Sequence, residues 1–152
     1  MSSSPPTKTY TFSCHCALIR FSITGLNPSN PQATKCNCSI CLKSGRISIS
    51  ADKNKDFTLL SPASLDEVPS YQFGERRQKH CFCRVCGIHC FAYGSFEWEG
   101  KTMNVFSFNV LALDAEPDQG FDLRGLKLGY WDGKGDKYLE GPAEKPAAGG
   151  VF

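Results

Sequence analysis

The residues of this sequence best suited to chemistry are its nine cysteines, which fall into three groups. The groups are Cys14 and Cys16; Cys36, Cys38 and Cys41; and Cys81, Cys83, Cys86 and Cys90. Cys83 and Cys86 have the C-x-x-C spacing of a zinc knuckle, and Gly87 follows where a knuckle needs a tight turn. Thiols this close in sequence are typical metal ligands, so the sequence predicts zinc sites.

A structural zinc site takes four ligands, and the knuckle supplies only two of them. Cys14 and Cys16 can supply the other two, because a C-x-C pair also presents two sulfurs from one turn. The alternative joins Cys14 and Cys16 to Cys38 and Cys41, which leaves Cys36 and the whole third group over. Ligand count favours the first pairing but does not fix it.

The first pairing leaves three thiols, Cys36, Cys38 and Cys41, for which no fourth protein ligand is evident. Three protein ligands with an open fourth position are the arrangement of catalytic zinc. A substrate thiol bound in that position would lose its proton and become nucleophilic near neutral pH. We therefore expect two zinc ions per chain, one in a closed site for folding and one in an open site for chemistry.

Composition limits the class of protein. The chain of 152 residues has 41% hydrophobic and 21% charged residues, as one globular domain would. Its net charge of +2 gives no reason to expect nucleic acid, and its apolar runs are too short for a membrane span. No secretory signal is evident, which predicts a cytoplasmic protein with reduced thiols. A disulfide scaffold is the alternative, but the number of cysteines is odd.

The elements that must position the cysteines are predicted to be short strands. Alternating or β-branched patterns occur at 10–14, 18–23, 46–50, 57–60, 70–73 and 104–110. In the last of these, Val105 and Ser107 would face one side, and Phe106 and Phe108 the other. One short helix is expected over 39–44, capped by Ser39 and ended by Gly45. The pattern predicts an all-β fold.

The predicted organisation has three parts. Residues 1–9 form a disordered leader, residues 10–135 form the zinc-binding domain, and residues 136–152 form a flexible tail rich in Pro, Ala and Gly. The segment after Asp114 carries no motif that we can place.

The three cysteine motifs together resemble the glutathione-dependent formaldehyde-activating family, which shares its domain with centromere protein V. The motifs are C-H-C at 14–16, C-N-C-S-I-C at 36–41 and H-C-F-C-R-V-C-G at 80–87, and their order and spacing agree over residues 10–110. The resemblance implies an all-β tent of packed antiparallel sheets. It also implies a zinc-dependent carbon–sulfur lyase that forms S-hydroxymethylglutathione from glutathione and formaldehyde, or acts on a related glutathione conjugate.

The resemblance further implies the metal ligands. The structural zinc would take Cys14, Cys16, Cys83 and Cys86, and the second, catalytic zinc would take Cys36, Cys38 and Cys41. Cys81 and Cys90 lie outside the family pattern, and we interpret them as core thiols. The alternative for Cys81 is that it becomes a fourth ligand of the second zinc under oxidising conditions.

Other residues could contribute to a substrate site. His80 and His89 flank the knuckle and could move protons, although a supporting hydrogen bond or an exposed position is favoured. His15 is expected to point away from the metal. The basic run 76–79 could attract the carboxylates of glutathione, but short basic runs are usually solvated. Five aromatic residues could line a pocket or fill the core: Tyr93, Phe96, Trp98, Tyr130 and Trp131.

Two functions fit these observations. The first is an enzyme whose open zinc binds the thiol of glutathione, a small-molecule substrate. The second is a non-catalytic, zinc-stabilised protein-interaction module. A chromatin partner would suggest a basic tail, whereas this tail has no excess of basic residues, which favours the enzyme. Sequence alone does not identify a general acid or base, and it leaves open whether the protein is a homodimer.

Overall fold

The structure is a computed structural model, and it describes residues 8–27, 32–114 and 120–148. The described strands are β1 (Lys8–Ser13), β2 (Arg20–Leu26), β3 (Gln32–Cys36), β4 (Ser48–Ser50), β5 (Phe57–Ser61), β6 (Ser70–Tyr71), β7 (Gln78–Phe82), β8 (His89–Trp98), β9 (Lys101–Asn109) and β10 (Lys127–Trp131). The α-helix is α1 (Ser39–Ser44), and short 3-10 turns lie at Leu65–Glu67, Val110–Ala112, Leu123–Gly125 and Tyr138–Glu140. The predicted all-β fold is confirmed.

The strands form two sheets. The small sheet has the order β1-β2-β5, and the large sheet has the order β10-β3-β4-β9-β8-β7-β6. The described pairs are antiparallel except one, because β10 runs parallel to β3. The predicted antiparallel sheets are present, and this one edge pair among the described strands departs from that pattern. Parallel neighbours need a long connection, and most of the domain lies between β3 and β10.

One face of the large sheet belongs to the hydrophobic core. Side chains alternate between the two faces of a strand, so residues paired across strands share a face. Cys81 pairs with Phe91, Phe91 with Phe108, and Phe108 with Ile49. All four residues are buried. The core row is therefore apolar. Phe106 and Phe108 lie on the same face of β9, as predicted, and both are buried.

The small sheet covers that row with aromatic rings. The ring of Phe12 lies 4.9 Å from that of Phe108, and the ring of Phe21 lies 5.3 Å from that of Phe91. Both pairs are edge-to-face, and all four rings are fully buried. Edge-to-face aromatic pairs add about 0.5–1.5 kcal/mol each beyond the burial of their area. This packing fixes the small sheet against the core face of the large sheet.

The opposite face of the large sheet is polar. The next row across the same strands joins His80 to Ala92, Ala92 to Ser107, and Ser107 to Ser50. The face that bears this row lies opposite the core face, so it can line a pocket.

Helix α1 differs in one detail from the prediction. Its N-cap is Cys38, which is extended and makes no side-chain capping bond, and Ser39 is the first helical residue. The Leu42 N–H donates to the carbonyl oxygen of Cys38 at 2.9 Å, so the helical bonding begins one residue earlier than expected. Gly45 ends the helix in the left-handed conformation at φ 66°, as predicted.

The predicted leader lies outside the described residues, apart from Lys8 and Thr9, which begin β1. Of the predicted tail, residues 136–148 are described and residues 149–152 are not. Within the described part of the chain, no helix has the length and apolar character needed to cross a membrane.

Gly94→Ala should destabilise the fold, because Gly94 of β8 lies directly against the β7 backbone. A Cβ there would overlap the carbonyl oxygen of Arg77 and lie 2.8 Å from the Cα of Gln78. We expect the free energy of unfolding, measured in urea, to fall by at least about 2 kcal/mol. Gly125→Ala is the matched control, since a Cβ there meets nothing, and it should stay within about 0.5 kcal/mol of the parent. Equal stabilities for the two variants would contradict this account.

Candidate metal centre

Four cysteines from distant parts of the chain form one compact group, which we call the four-thiol cluster. Its sulfur atoms, from Cys14, Cys16, Cys83 and Cys86, all lie within 4.8 Å of one another. Cys14 follows β1 of the small sheet, and Cys83 follows β7 of the large sheet. The Cys16 and Cys83 sulfurs are 3.5 Å apart. The structure thus brings together the pairs that ligand counting favoured.

The knuckle loop directs backbone N–H groups at its own sulfur. Val85 and Cys86 donate to the Cys83 sulfur at 3.4 and 3.5 Å, and Gly87 adopts a φ of 74°. Burial opposes ionisation of Cys83, but these N–H donors outweigh burial, and its pKa is lowered. Backbone N–H groups of Cys16 and Ile88 lower the pKa of Cys86 to about 6. The loop favours the thiolate form that a metal ligand needs.

The other side of the cluster is buried. Cys14 is 2% exposed, and burial raises its pKa to about 12. The Ile19 N–H donates to its sulfur at 3.2 Å and acts in the opposite direction. A buried thiol next to ionised ones is stable as a thiolate when a cation shares the site.

The second group consists of Cys36, Cys38 and Cys41, the three-thiol cluster. Cys36 ends β3, Cys38 caps α1, and Cys41 lies within α1, so one strand–turn–helix unit carries all three. Their sulfurs also lie within 4.8 Å of one another, and each residue is half-buried. Hydrogen bonds from Cys38 and Cys41 lower the pKa of Cys36 to about 2, and the same contacts raise the pKa of Cys41. The three thiols therefore interact strongly with one another.

Hydrogen bonds that support the three-thiol cluster were not predicted from the sequence. Asn37, only 3% exposed, donates from Nδ2 to Asp132 Oδ1 at 2.8 Å. Its Oδ1 accepts from the Lys134 N–H at 2.9 Å, and its own N–H donates to the Trp131 carbonyl at 3.2 Å. These bonds tie the C-N-C turn to the loop after β10. The signal in the sequence was the Asn37 side chain between two cysteines, because an Asn amide can donate and accept hydrogen bonds at the same time.

Gly133 and Tyr138 complete this support. A Cβ on Gly133 would overlap the Tyr138 hydroxyl and lie 2.7 Å from the Cys36 sulfur, so only glycine fits. The Tyr138 hydroxyl lies 3.8 Å from the Cys36 sulfur. Ala143 forms a bridge with Tyr130, so this stretch packs on the domain, although its composition predicts a flexible tail. Composition alone does not reveal these contacts, because they depend on the pairing of β10 with β3.

The three-thiol cluster forms part of the wall of a cavity of about 650 Å³. This volume lies within the range of small-molecule sites. The polar row of the large sheet forms the floor, and aromatic and apolar side chains form much of the rim. The lining includes Thr34, Ser48, Ser50, Gln78, His80, Val105, Ser107 and Trp131 on the strands of the large sheet, and Ile40, Phe73 and Tyr138 around it. The residues of the four-thiol cluster do not line this cavity.

Arg46 lines the cavity and is hydrogen-bonded to its floor. It follows α1, its backbone N–H donates to the Cys41 carbonyl at 3.3 Å, and its NH2 donates to the Ser107 hydroxyl at 3.0 Å. Its Nε and NH1 atoms are buried and have no hydrogen-bond partner among the described residues. Arg77 also lines the cavity, but it is exposed and ion-paired to Glu75.

Two histidines near Arg46 are held neutral. His80 is 6% exposed and lines the cavity, and its ring lies 5.9 Å from that of His89. Burial, followed by the charge of Arg46, lowers the pKa of both, to about 3 for His89. His80 Nδ1 and both ring nitrogens of His89 lack hydrogen-bond partners within the described ranges. His80 is therefore a neutral, buried group at the cavity, whereas His15 is exposed.

The remaining sequence candidates divide between the core, the cavity and the surface. Cys81 and Cys90 are fully buried, and Cys81 lies on the core face, opposite the face that bears His80 and the cavity. The alternative of Cys81 as a ligand of the second zinc is therefore wrong for this arrangement. Trp131 lines the cavity, but Tyr93 lies instead below the ammonium groups of Lys53 and Lys79. Trp98 is exposed near the end of β8.

The comparison with solved structures found a protein of similar fold. A crystal structure of a Rhodobacter sphaeroides protein, solved as a structural genomics target, matches with a TM-score of 0.54 and 29% identity. The match covers 70% of this chain and 89% of that chain. No curated protein matches the sequence.

The family comparison covers both cysteine clusters. The model of the glutathione-dependent formaldehyde-activating enzyme family matches residues 9–119, which is more than half of the chain. The protein therefore belongs to the glutathione-dependent formaldehyde-activating enzyme family.

Proposed function

We propose that the protein is a zinc-dependent carbon–sulfur lyase acting on glutathione adducts. Its reaction would be the formation of S-(hydroxymethyl)glutathione from formaldehyde and glutathione, or a closely related reaction of a glutathione conjugate. One observation carries the proposal: a cluster of three thiols lies in the wall of a substrate-sized cavity, while a separate cluster of four thiols lies away from it. Membership of the family supports glutathione and formaldehyde as the reactants.

Both clusters fit zinc by their donor sets. Four thiols within 4.8 Å match a closed structural site, and three thiols leave one of the usual four positions free. The fit also has local support, since N–H donors favour thiolate at Cys83, and Gly133 leaves room beside Cys36. Cys14, Cys16, Cys83 and Cys86 would hold the structural zinc, and Cys36, Cys38 and Cys41 the catalytic one. A zinc ion at the three-thiol cluster supplies a Lewis acid that favours the thiolate form of a bound thiol.

The chemistry is an addition whose atoms balance without a redox partner. The thiol sulfur attacks the carbonyl carbon, the C–S bond forms, and the C=O π pair moves to oxygen. The proton lost by the thiol ends on that oxygen, which gives the S-hydroxymethyl product. The reverse reaction breaks the same bond, which is the lyase direction.

The chain's own residues bind and orient the reactants. The polar floor offers hydroxyl groups of Ser48, Ser50 and Ser107, and the rim offers aromatic surface at Phe73 and Trp131. This combination suits a peptide-like thiol with polar ends. Neutral His80 can donate or accept a hydrogen bond at the cavity without the cost of a buried charge, because a neutral imidazole carries one N–H and one acceptor nitrogen.

The remaining parts of the proposal concern the whole molecule. We propose one catalytic domain over residues 10–135, supported at the site by Tyr138, and a cytoplasmic protein that acts on a small-molecule thiol.

Formaldehyde and glutathione also react unaided, so turnover must be measured against an enzyme-free blank. A screen of glutathione adducts for zinc-dependent turnover tests the proposal directly. Absence of glutathione binding at millimolar concentration would contradict it and favour the interaction module.

Substitution of single cysteines should separate the two clusters. Cys83→Ala removes a ligand from the cluster that joins the sheets, and structural zinc contributes roughly 10 kcal/mol or more to folding, so this variant should unfold. Cys38→Ala should stay folded. Its activity should fall by more than the roughly 10–100-fold that is typical of changes around a metal site. Circular dichroism, thermal melts and zinc analysis measure these effects.

Cys81→Ala is the matched control, because it removes a buried thiol outside both clusters. It should keep two zinc ions per chain and lose only a modest amount of stability. A mild chelator should remove one zinc from the parent protein without unfolding it. Equal destabilisation by Cys83→Ala and Cys38→Ala, or a single tightly held zinc in the parent, would contradict the division of roles.

Gly133→Ala should damage the three-thiol cluster while leaving the fold intact. The added Cβ would press on the Cys36 sulfur and the Tyr138 hydroxyl, and both would have to move. We expect zinc affinity at the second site, measured by competition with a chelator, to fall about 10–100-fold. The fold should melt within a few degrees of the parent, and the Gly125→Ala control should keep full zinc affinity. Unchanged affinity in Gly133→Ala would show that this contact is unimportant.

A further inference from the structure

The cavity contains a cation whose hydrogen-bonding capacity is largely unused. Of the three guanidinium nitrogens of Arg46, only NH2 has a partner, the Ser107 hydroxyl at 3.0 Å. Nε and NH1 are both buried without a partner in the described part of the protein. A buried guanidinium that lacks an anion carries a desolvation cost that neutral hydrogen bonds offset only in part. The site is therefore suited to an anion.

Among the described lining residues, no unpaired carboxylate supplies that anion. Glu75 is the carboxylate among the described lining residues, and it is paired with Arg77. His80 and His89 are neutral, because burial and Arg46 itself lower their pKa values. The Cys41 thiol is close enough to feel the charge of Arg46, but no described hydrogen bond joins the guanidinium to a cysteine sulfur. Nε and NH1, which together carry three N–H groups, thus have no partner among the described residues.

Arg46 is placed to act together with the three-thiol cluster. Its backbone N–H is bonded to the carbonyl of Cys41, so one rigid turn carries a cluster thiol and the guanidinium. Both line the same cavity, with hydroxyl groups of Ser48, Ser50 and Ser107 on its floor. A ligand with a thiol at one end and an anion at another can reach both features. Glutathione is such a ligand, because it carries one thiol and two carboxylates.

We propose that Arg46, positioned by Ser107, binds a carboxylate of the thiol substrate and so makes the cavity selective for anionic thiols. The planar fork of a guanidinium matches the two oxygens of a carboxylate. The inference rests on the proposed function, since it takes the substrate sulfur to lie at the three-thiol cluster. It adds a specificity-determining residue and a requirement on the substrate: a carboxylate within reach of the thiol.

The test is a cycle of protein variants and substrate analogues on the zinc-loaded protein. Calorimetry compares glutathione with its glycyl monoethyl ester and with 4-aminobutyryl-cysteinylglycine, which lacks the glutamyl α-carboxylate. The parent should bind one of the two analogues roughly 10–100-fold more weakly than glutathione. Arg46→Gln should bind glutathione about as weakly as the parent binds that analogue, and should no longer distinguish the two. Arg46→Lys, which keeps the charge but not the fork, should recover part of the difference.

Arg20→Gln is the matched control, because Arg20 is exposed on the small sheet and does not line the cavity. It should bind all three thiols as the parent does. If the parent binds glutathione but both analogues equally well, or if Arg46→Gln keeps the discrimination, the carboxylate assignment is overturned and the proposed function stands. A loss of turnover in Arg46→Gln with unchanged affinity would also overturn it. If the parent binds no glutathione, the proposed function fails together with the inference.

Discussion

The structure depends on the convergence of Cys14 and Cys16 with Cys83 and Cys86, because this contact joins the two sheets. The first pair follows β1 of the small sheet, and the second follows β7 of the large sheet. Cys16 and Cys83 are separated by 67 positions in sequence, and their sulfurs are 3.5 Å apart. Closing so long a loop costs chain entropy, which the aromatic contacts between the sheets help to offset. The knuckle therefore organises the fold and leaves the cavity to other residues.

With the sheets fixed, the alternation of side chains decides what faces the cavity. A single register places Cys81, Phe91 and Phe108 in the core, and His80, Ala92 and Ser107 on the opposite face. Neighbouring residues of one strand thus serve unrelated purposes. A shift by one residue would put phenylalanine rings in the cavity and polar groups in the core, which the burial of the core forbids. The separation of a stable core from a polar site follows from this geometry.

The cavity combines polar groups that would be costly if they were isolated. Burial, together with the charge of Arg46, lowers the pKa of both histidines, and two nitrogens of Arg46 have no hydrogen-bond partner among the described residues. The three-thiol cluster lies in the wall of the same cavity. Charged groups interact more strongly in a protein cavity than they would in solvent. Such an arrangement favours ligands that are themselves polar and charged, as glutathione is.

The sequence by itself determined the all-β class, the faces of β9 and the helix that ends at Gly45, because alternation and turn residues act locally. It also favoured the grouping of the cysteines that the structure brings together, since ligand number and spacing limit the choices. Only the tertiary structure decided which residues support and line the site. Asn37 meets Asp132, Gly133 approaches Cys36, and Arg46 reaches Ser107 only after β10 pairs with β3 and β4 with β9. Such long-range pairing leaves no periodic signal in the chain, because it depends on the packing of the whole sheet.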